Sequence, residues 1–195
     1  MSPRAGLDTG AIVRAAAELA DERGLDQVSL GALAERLRIR PPSLYNHVDG
    51  LPALRRRLAL EGLAQLNERL TSAAVGRSGD DAVFALGEAY VGFVRARPGL
   101  YEAVFRTPPA SDADLAAASG AVVEVCVRVM RSYGRGEEET LHLIRGLRSL
   151  LHGFASIEQA GGFGLPLDLD ESLRTVLSTF LAGIRATGAA GEEAP

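Results

Sequence analysis

The sequence predicts an all-α fold of about nine helices, a small three-helix N-terminal domain followed by a larger helical bundle. Three observations predict it. Apolar residues recur at three- and four-residue intervals along most of the chain, as at Ile12, Ala15, Ala16, Leu19 and Ala20. No stretch alternates apolar and polar residues as a half-buried strand does. The stretch 28–48, VSLGALAERLRIRPPSLYNHV, reads as two short helices joined by a tight turn.

Residues 1–7 are expected to form a short disordered arm. Asp8 or Thr9 can cap a first helix that Gly24 ends. Ser29 is a plausible N-cap for a second helix, whose apolar stripe is Leu30, Leu33, Ala34 and Leu37. Arg38-Ile39-Arg40 is the turn, with Ile39 plugging the angle between helices. Pro41-Pro42 opens a third helix, expected over residues 41–48, because neither proline needs an intrahelical N–H partner. Leu44 and Val48 face inward together at i, i+4.

Asp49 can cap a fourth helix, running to about Ala74, with Leu54, Leu58, Leu63, Leu66 and Leu70 on its inward side. A fifth is expected from about Asp81 to Arg97, broken by Pro98-Gly99, and a short sixth from Leu100 to Phe105. After a loop at 106–112, a seventh runs from about Ala113 to Tyr133. Two long helices close the chain, from about Glu137 to Gln159 and from about Asp170 to Thr187. The former is apolar nearly all round and must be buried on more than one side. The expected division is 1–50 for the first domain, 51–188 for the bundle and 189–195 for a disordered tail.

The side of the third helix left outside carries Arg40, Ser43, Tyr45, Asn46 and His47. Such a set can hold phosphates and read base edges, so the segment is a helix-turn-helix with 41–48 as its recognition helix. Tyr45 O–H and His47 N–H are expected on phosphate oxygens. Arg38, Arg40, Ser43 and Asn46 are the candidates for base edges, and Ser29, Pro41, Pro42 and Arg55 complete the expected DNA-facing set. Arg55, Arg56 and Arg57 form a basic cluster of which only part can face DNA.

The run ALAERLRIRPPSLYNHV, with its ending Leu44-Tyr45-Asn46-His47-Val48, resembles the tetracycline-repressor-like (TetR) family of bacterial regulators. Leu147-Arg148-Ser149-Leu150-Leu151-His152-Gly153-Phe154 resembles a C-terminal domain subfamily named for a Trp-His-Gly signature. The turn holds Arg38 where such motifs usually have Gly. If that position takes positive φ, Arg costs about 1 kcal/mol relative to Gly.

The net charge is −4, an argument against nucleic-acid binding that the distribution reverses. Residues 1–60 carry nine Arg against seven acids, +2, while the remainder carries −6. The single cysteine, Cys126, suits a reducing cytoplasm and is expected to be buried and inert. No apolar run reaches transmembrane length, since Glu124 and Arg128 interrupt the best one, and MSPRAGLDTG has no signal-peptide core. Metal-ligand spacing, a glycine-rich phosphate loop and a nucleophile elbow are missing, so no metal, cofactor or catalytic residue is expected.

The expected function is a cytoplasmic, ligand-responsive repressor that binds a palindromic double-stranded DNA operator as a homodimer. Tyr90, Phe93, Tyr101, Phe105, Met130, His152 and Phe154 are the candidates for an apolar small-molecule pocket. Leu147, Phe154, Leu173, Leu177, Phe180, Leu181 and Ile184 are the candidates for a four-helix interface between two copies. The alternative is a helical ligand-binding or protein-interaction module without specific DNA binding.

Overall fold

The first helix, α1 (Thr9–Arg23), starts where the Asp8 carboxylate accepts the Ala11 N–H at 2.6 Å, and stops at Gly24, whose φ of 87° no helix continues. The fold comes from a computed structural model that describes residues 8–107 and 112–192, the last five of these as backbone only. The arm expected at 1–7, the middle of the loop expected at 106–112 and the last residues of the expected tail lie outside the described residues. Nine α-helices and no strand are present among them.

A 3₁₀ turn, Leu25–Gln27, leads into α2 (Leu30–Leu37), α3 (Pro41–Leu44) and α4 (Gly50–Ala74). Then come α5 (Gly79–Ala96), α6 (Pro98–Arg106) and α7 (Ala113–Met130), which a 3₁₀ turn at Arg131–Tyr133 extends. The closing pair is α8 (Glu137–Gln159) and α9 (Leu169–Glu192). Helix α9 thus continues past Thr187 and through the first part of the tail expected to be disordered, while Glu137–Gln159 is as expected.

The described residues gather into two compact units, one from residues up to 65 together with 96–119, the other from 66–95 and 120 onward. The boundary expected at 50/51 is therefore not where the packing divides, and both α4 and α7 contribute to each unit. The reason lies in α6. Asp21 on α1 accepts from the N–H groups of Gly99 (2.8 Å) and Leu100 (3.3 Å), the first orphan donors of α6, and pairs with Arg97 at 2.6 Å. Gly99 lies so close to α1 that a Cβ there would sit 2.2 Å from the Ala20 carbonyl carbon. Glu102 accepts from Leu25 N–H, and Arg106 reaches Asp26. With Ile12, Leu19, Leu33, Leu44, Leu54 and Leu58, all fully buried, these contacts make α6 part of the first unit.

The second unit is built around Val83, Leu86, Phe93, Leu147, Leu151 and the inward stripe of α9. Gly87 on α5 makes room for Leu177, whose Cδ1 would be 2.6 Å from a Cβ at 87. Asp80 joins three elements by accepting from Tyr133 O–H at 2.7 Å and pairing with Arg185. Burial and the Asp80 carboxylate push the Tyr133 phenol well above its ordinary range. Cys126 is half-buried, and its burial pushes the thiol up to about 11, which leaves little thiolate near neutral pH.

Candidate nucleic-acid interface

Helix α2 begins as expected, with Ser29 Oγ accepting the Ala32 N–H at 3.1 Å. That bond leaves the hydroxyl hydrogen of exposed Ser29 available to an external acceptor. Its end is a hydrogen-bonded closure. Arg38 N–H donates to Glu35 O and Ile39 N–H to Ala34 O, both at 3.0 Å, the paired bonds of a Schellman motif. Arg38 accordingly takes φ 54°, ψ 42°, the sole positive φ outside glycine among the described residues.

Arg40 is extended, φ −82° and ψ 140°, the conformation favoured for a residue before proline. The expected helix over 41–48 is shorter than predicted. Only Pro41–Leu44 is α-helical, and 45–47 continue as turns, with His47 N–H donating to Leu44 O at 2.9 Å. The prolines do not shorten it, since N–H groups of a first helical turn have no intrahelical partner. The segment ends where His47 N–H and Val48 N–H both close on Leu44 O. The facing is nevertheless as predicted. Leu44 and Val48 are buried, while Arg38, Arg40, Pro41, Pro42, Tyr45 and Asn46 are exposed and Ser43 and His47 half-exposed. Tyr45, at 60% exposure, offers a whole aromatic ring and hydroxyl to solvent.

Charge sorts the same way. In the first unit Arg36 is held by Glu18 and Glu22, Arg56 by Asp112 and Asp114, Arg97 by Asp21 and Arg106 by Asp26. The Arg56 guanidinium holds the Asp112 carboxyl down at about 2. Among the described residues of this unit, Arg14, Arg23, Arg38, Arg40, Arg55 and Arg57 have no ion pair. Four of those six lie between 38 and 57, around α3 and the start of α4. In the triplet 55–57, Arg56 is thus spent on the fold and Arg55 has its Nε enclosed, whereas exposed Arg57, outside the predicted set, remains free.

The predicted ligand residues divide between the units. Tyr101 and Phe105 are on α6, Tyr101 buried and Phe105 exposed at the end of the helix. Phe105 therefore does not line an enclosed cavity. Tyr90, Phe93, Met130 and Phe154 are buried in the second unit, and half-buried His152 contacts Ser156 through Nδ1 at 3.4 Å. Burial and the nearby Arg148 lower the His152 pKa. Asn67 on α4 was not anticipated. Its Oδ1 is buried without a hydrogen-bond partner.

The predicted dimer residues need correction. Leu147, Phe154, Leu173, Leu177, Leu181 and Ile184 are all buried inside a single chain, Leu177 completely. The inward stripes of α8 and α9 already consume them, which leaves little of their surface for a second copy. Only Phe180 is half-exposed, lying over Gly146, where a Cβ would be 3.3 Å from its ring. What α8 leaves outside is a different stripe: Leu143, Gly146, Leu150, Gly153 and Ile157.

No helix among the described residues is long and apolar enough to cross a membrane. Against this geometry, the family profile for bacterial regulatory proteins of the tetR family matches residues 12–47, and that for the tetracyclin repressor-like C-terminal domain matches residues 83–180. The chain is 42% identical over 185 residues to the uncharacterised HTH-type transcriptional regulator YobS of Bacillus subtilis, covering 94% of this chain and 96% of that one. It is 34% identical over 158 residues to another uncharacterised HTH-type transcriptional regulator, from Mycobacterium tuberculosis, covering 80% and 72%. Among solved structures, a Rhodococcus protein of unknown function superimposes with a TM-score of 0.80 at 21% identity, over 94% of this chain and 98% of its own. A TetR variant from Acinetobacter baumannii in complex with minocycline does so with a TM-score of 0.70 at 22% identity, over 93% and 98%. The chain belongs to the TetR family of DNA-binding, helix-turn-helix transcriptional regulators.

Proposed function

We propose that the protein is a cytoplasmic repressor that binds a palindromic operator as a homodimer and is released by a small apolar or amphipathic ligand. The observation that carries the DNA reading is the outer face of residues 40–47, polar and unpaired above buried Leu44 and Val48. Tyr45 and His47 suit phosphate oxygens, whereas Arg40, Ser43 and Asn46 suit base edges. One such element reads few base pairs. Two-fold partners set two of them about 34–36 Å apart, one turn of the duplex, which is the geometry of an inverted repeat.

For the second copy, the outer stripe of α8 supplies a seam. Leu143, Gly146, Leu150, Gly153 and Ile157 alternate three- and four-residue steps, the spacing of a helix that packs along its length on another. Val176, Phe180 and Gly183 continue it on α9. A Cβ at Gly153 would meet no other atom within 4 Å, so that side of α8 is open to a close-approaching helix. For the ligand, the second unit offers Tyr90, Phe93, Met130 and Phe154 as apolar wall candidates, and the enclosed Asn67 Oδ1 and half-buried His152 as candidate polar anchors. The minocycline complex of the A. baumannii relative in fold is consistent with a small-molecule role.

Selection of bound sequences from random duplexes by the purified protein tests the reading. The expected outcome is an inverted repeat, with Asn46→Ala or Arg40→Ala relaxing specificity at one position per half-site at a cost of about 1–3 kcal/mol. Enrichment of no sequence would instead favour a helical module without specific DNA binding.

A further inference from the structure

We infer that Arg38 is a DNA-phosphate contact kept in a left-handed turn at the expense of fold stability; the inference rests on the DNA-binding role of the α2–α3 segment. The closure of α2 demands the left-handed conformation whatever the side chain. Arg38 N–H must reach Glu35 O and Ile39 N–H must reach Ala34 O, and only a positive φ at 38 brings both about. Glycine satisfies that demand without strain, because it has no Cβ to press on the following carbonyl. Elsewhere among the described residues the chain uses glycine at every positive φ: 24, 50, 76, 79, 134 and 161. Arginine at 38 is the exception.

The arginine does nothing for the fold in return. Its side chain is exposed and has no ion pair, in a unit where Arg36, Arg56, Arg97 and Arg106 all hold carboxylates that pack one element on another. Two residues on lies Arg40, also exposed and unpaired, at the entry to α3. A strained residue with an uncommitted side chain beside a polar recognition face points to function, since strain persists where a role sustains it. The turn precedes the segment that reads bases, and a guanidinium on a long, mobile stem from an exposed turn suits the duplex backbone better than a fixed base edge. Arg38 therefore passes from the base-reading group to the phosphate-holding one.

The test uses the full-length protein, a labelled duplex of arbitrary sequence and the same duplex carrying the selected operator, titrated across a range of salt concentrations. Arg38→Gly should raise Tm by about 2–4 °C. It should weaken binding to both duplexes similarly and reduce the salt slope by about 1 per protomer. Arg38→Ala should lose the same binding with no gain in Tm, because its Cβ retains the strain. Arg38→Lys should keep the wild-type slope. Unchanged salt slopes in both the Gly and Ala variants would overturn the phosphate contact, even with a raised Tm. A loss confined to the operator duplex would overturn it too, and return Arg38 to base reading. A wild-type protein that binds neither duplex would sink the interface itself, an outcome distinct from failure at Arg38 alone.

Discussion

At the scale of single residues, Gly99 is the least replaceable position on α6. A Cβ there would lie 2.2 Å from the Ala20 carbonyl carbon and 2.5 Å from its oxygen. Backbone atoms inside α1 cannot rotate away as the end of a side chain can. Gly99→Ala must therefore push α6 off α1 and stretch the Asp21 bonds to Gly99 and Leu100. We expect a loss of about 1–3 kcal/mol or more, read as a lower midpoint in urea unfolding. Gly87→Ala, whose nearest obstacle is the movable tip of Leu177, should cost less.

Asp112 makes a second residue-scale prediction, about pH. Its carboxyl titrates at about 2 in the folded chain, chiefly because Arg56 hydrogen-bonds it, Nη2 to Oδ1 at 2.9 Å, with help from Leu115 N–H. The folded pKa is depressed, so its stabilising contribution is complete above the unfolded value and disappears as pH falls through the folded one. The loss should run from about pH 4 down to about pH 2. Carboxyl chemical shifts followed through an acid titration should place the Asp112 midpoint near the lower end in the wild type. In Arg56→Met it should return toward about 3.9.

At the scale of elements, α8 shows how one helix serves two surfaces. Ile144, Leu147, Leu151 and Phe154 face the unit's core, while Leu143, Leu150 and Ile157 retain exposure on the adjoining side, with Ile157 at 46%. If that side is the seam between copies, Gly153→Arg should give monomers in sedimentation velocity at micromolar concentration. Thermal unfolding at matched concentration should fall only through loss of the partner. Leu177→Ala should act oppositely. It removes a fully buried side chain and should destabilise each chain by about 2–5 kcal/mol without a specific effect on association. A monomeric Leu177→Ala protein with intact stability, alongside a dimeric Gly153→Arg protein, would reverse the assignment of the two faces.

At the scale of the whole molecule, α4 is shared between the units, residues 50–65 with one and 66–74 with the other. A ligand that favours a setting of this helix other than the DNA-bound one must, by linkage, bind less well to the DNA-bound protein, by the same factor that it weakens DNA. We expect a coupling of about 5- to 150-fold between an identified ligand and operator DNA. Titrating each in the presence and absence of the other should return the same factor in both directions. Asn67→Ala should weaken the ligand while leaving DNA affinity in its absence unchanged. A ligand that binds tightly with no effect on operator affinity would exclude release by this route.

The sequence by itself determined the helical class, the helix-turn-helix, its buried Leu44 and Val48 and its exposed polar side. These follow from short-range rules: caps at Asp8 and Ser29, prolines at the start of α3 and apolar spacing within a few turns. Even the strained turn was legible, because a residue other than glycine stands where a helix must close. Tertiary structure alone decided three matters. It attached α6 to the first unit through Asp21, Gly99 and Ala20, residues far apart in the chain. It separated the core-facing leucines of α8 and α9 from their outward neighbours. Helix α8, expected to be apolar nearly all round and buried on more than one side, buries one stripe through Ile144, Leu147, Leu151 and Phe154 and leaves Arg145, Arg148 and Ser149 exposed. It also chose which arginines hold carboxylates and which stay free, since ion pairing depends on what packing brings within a few ångströms and not on charge along the sequence.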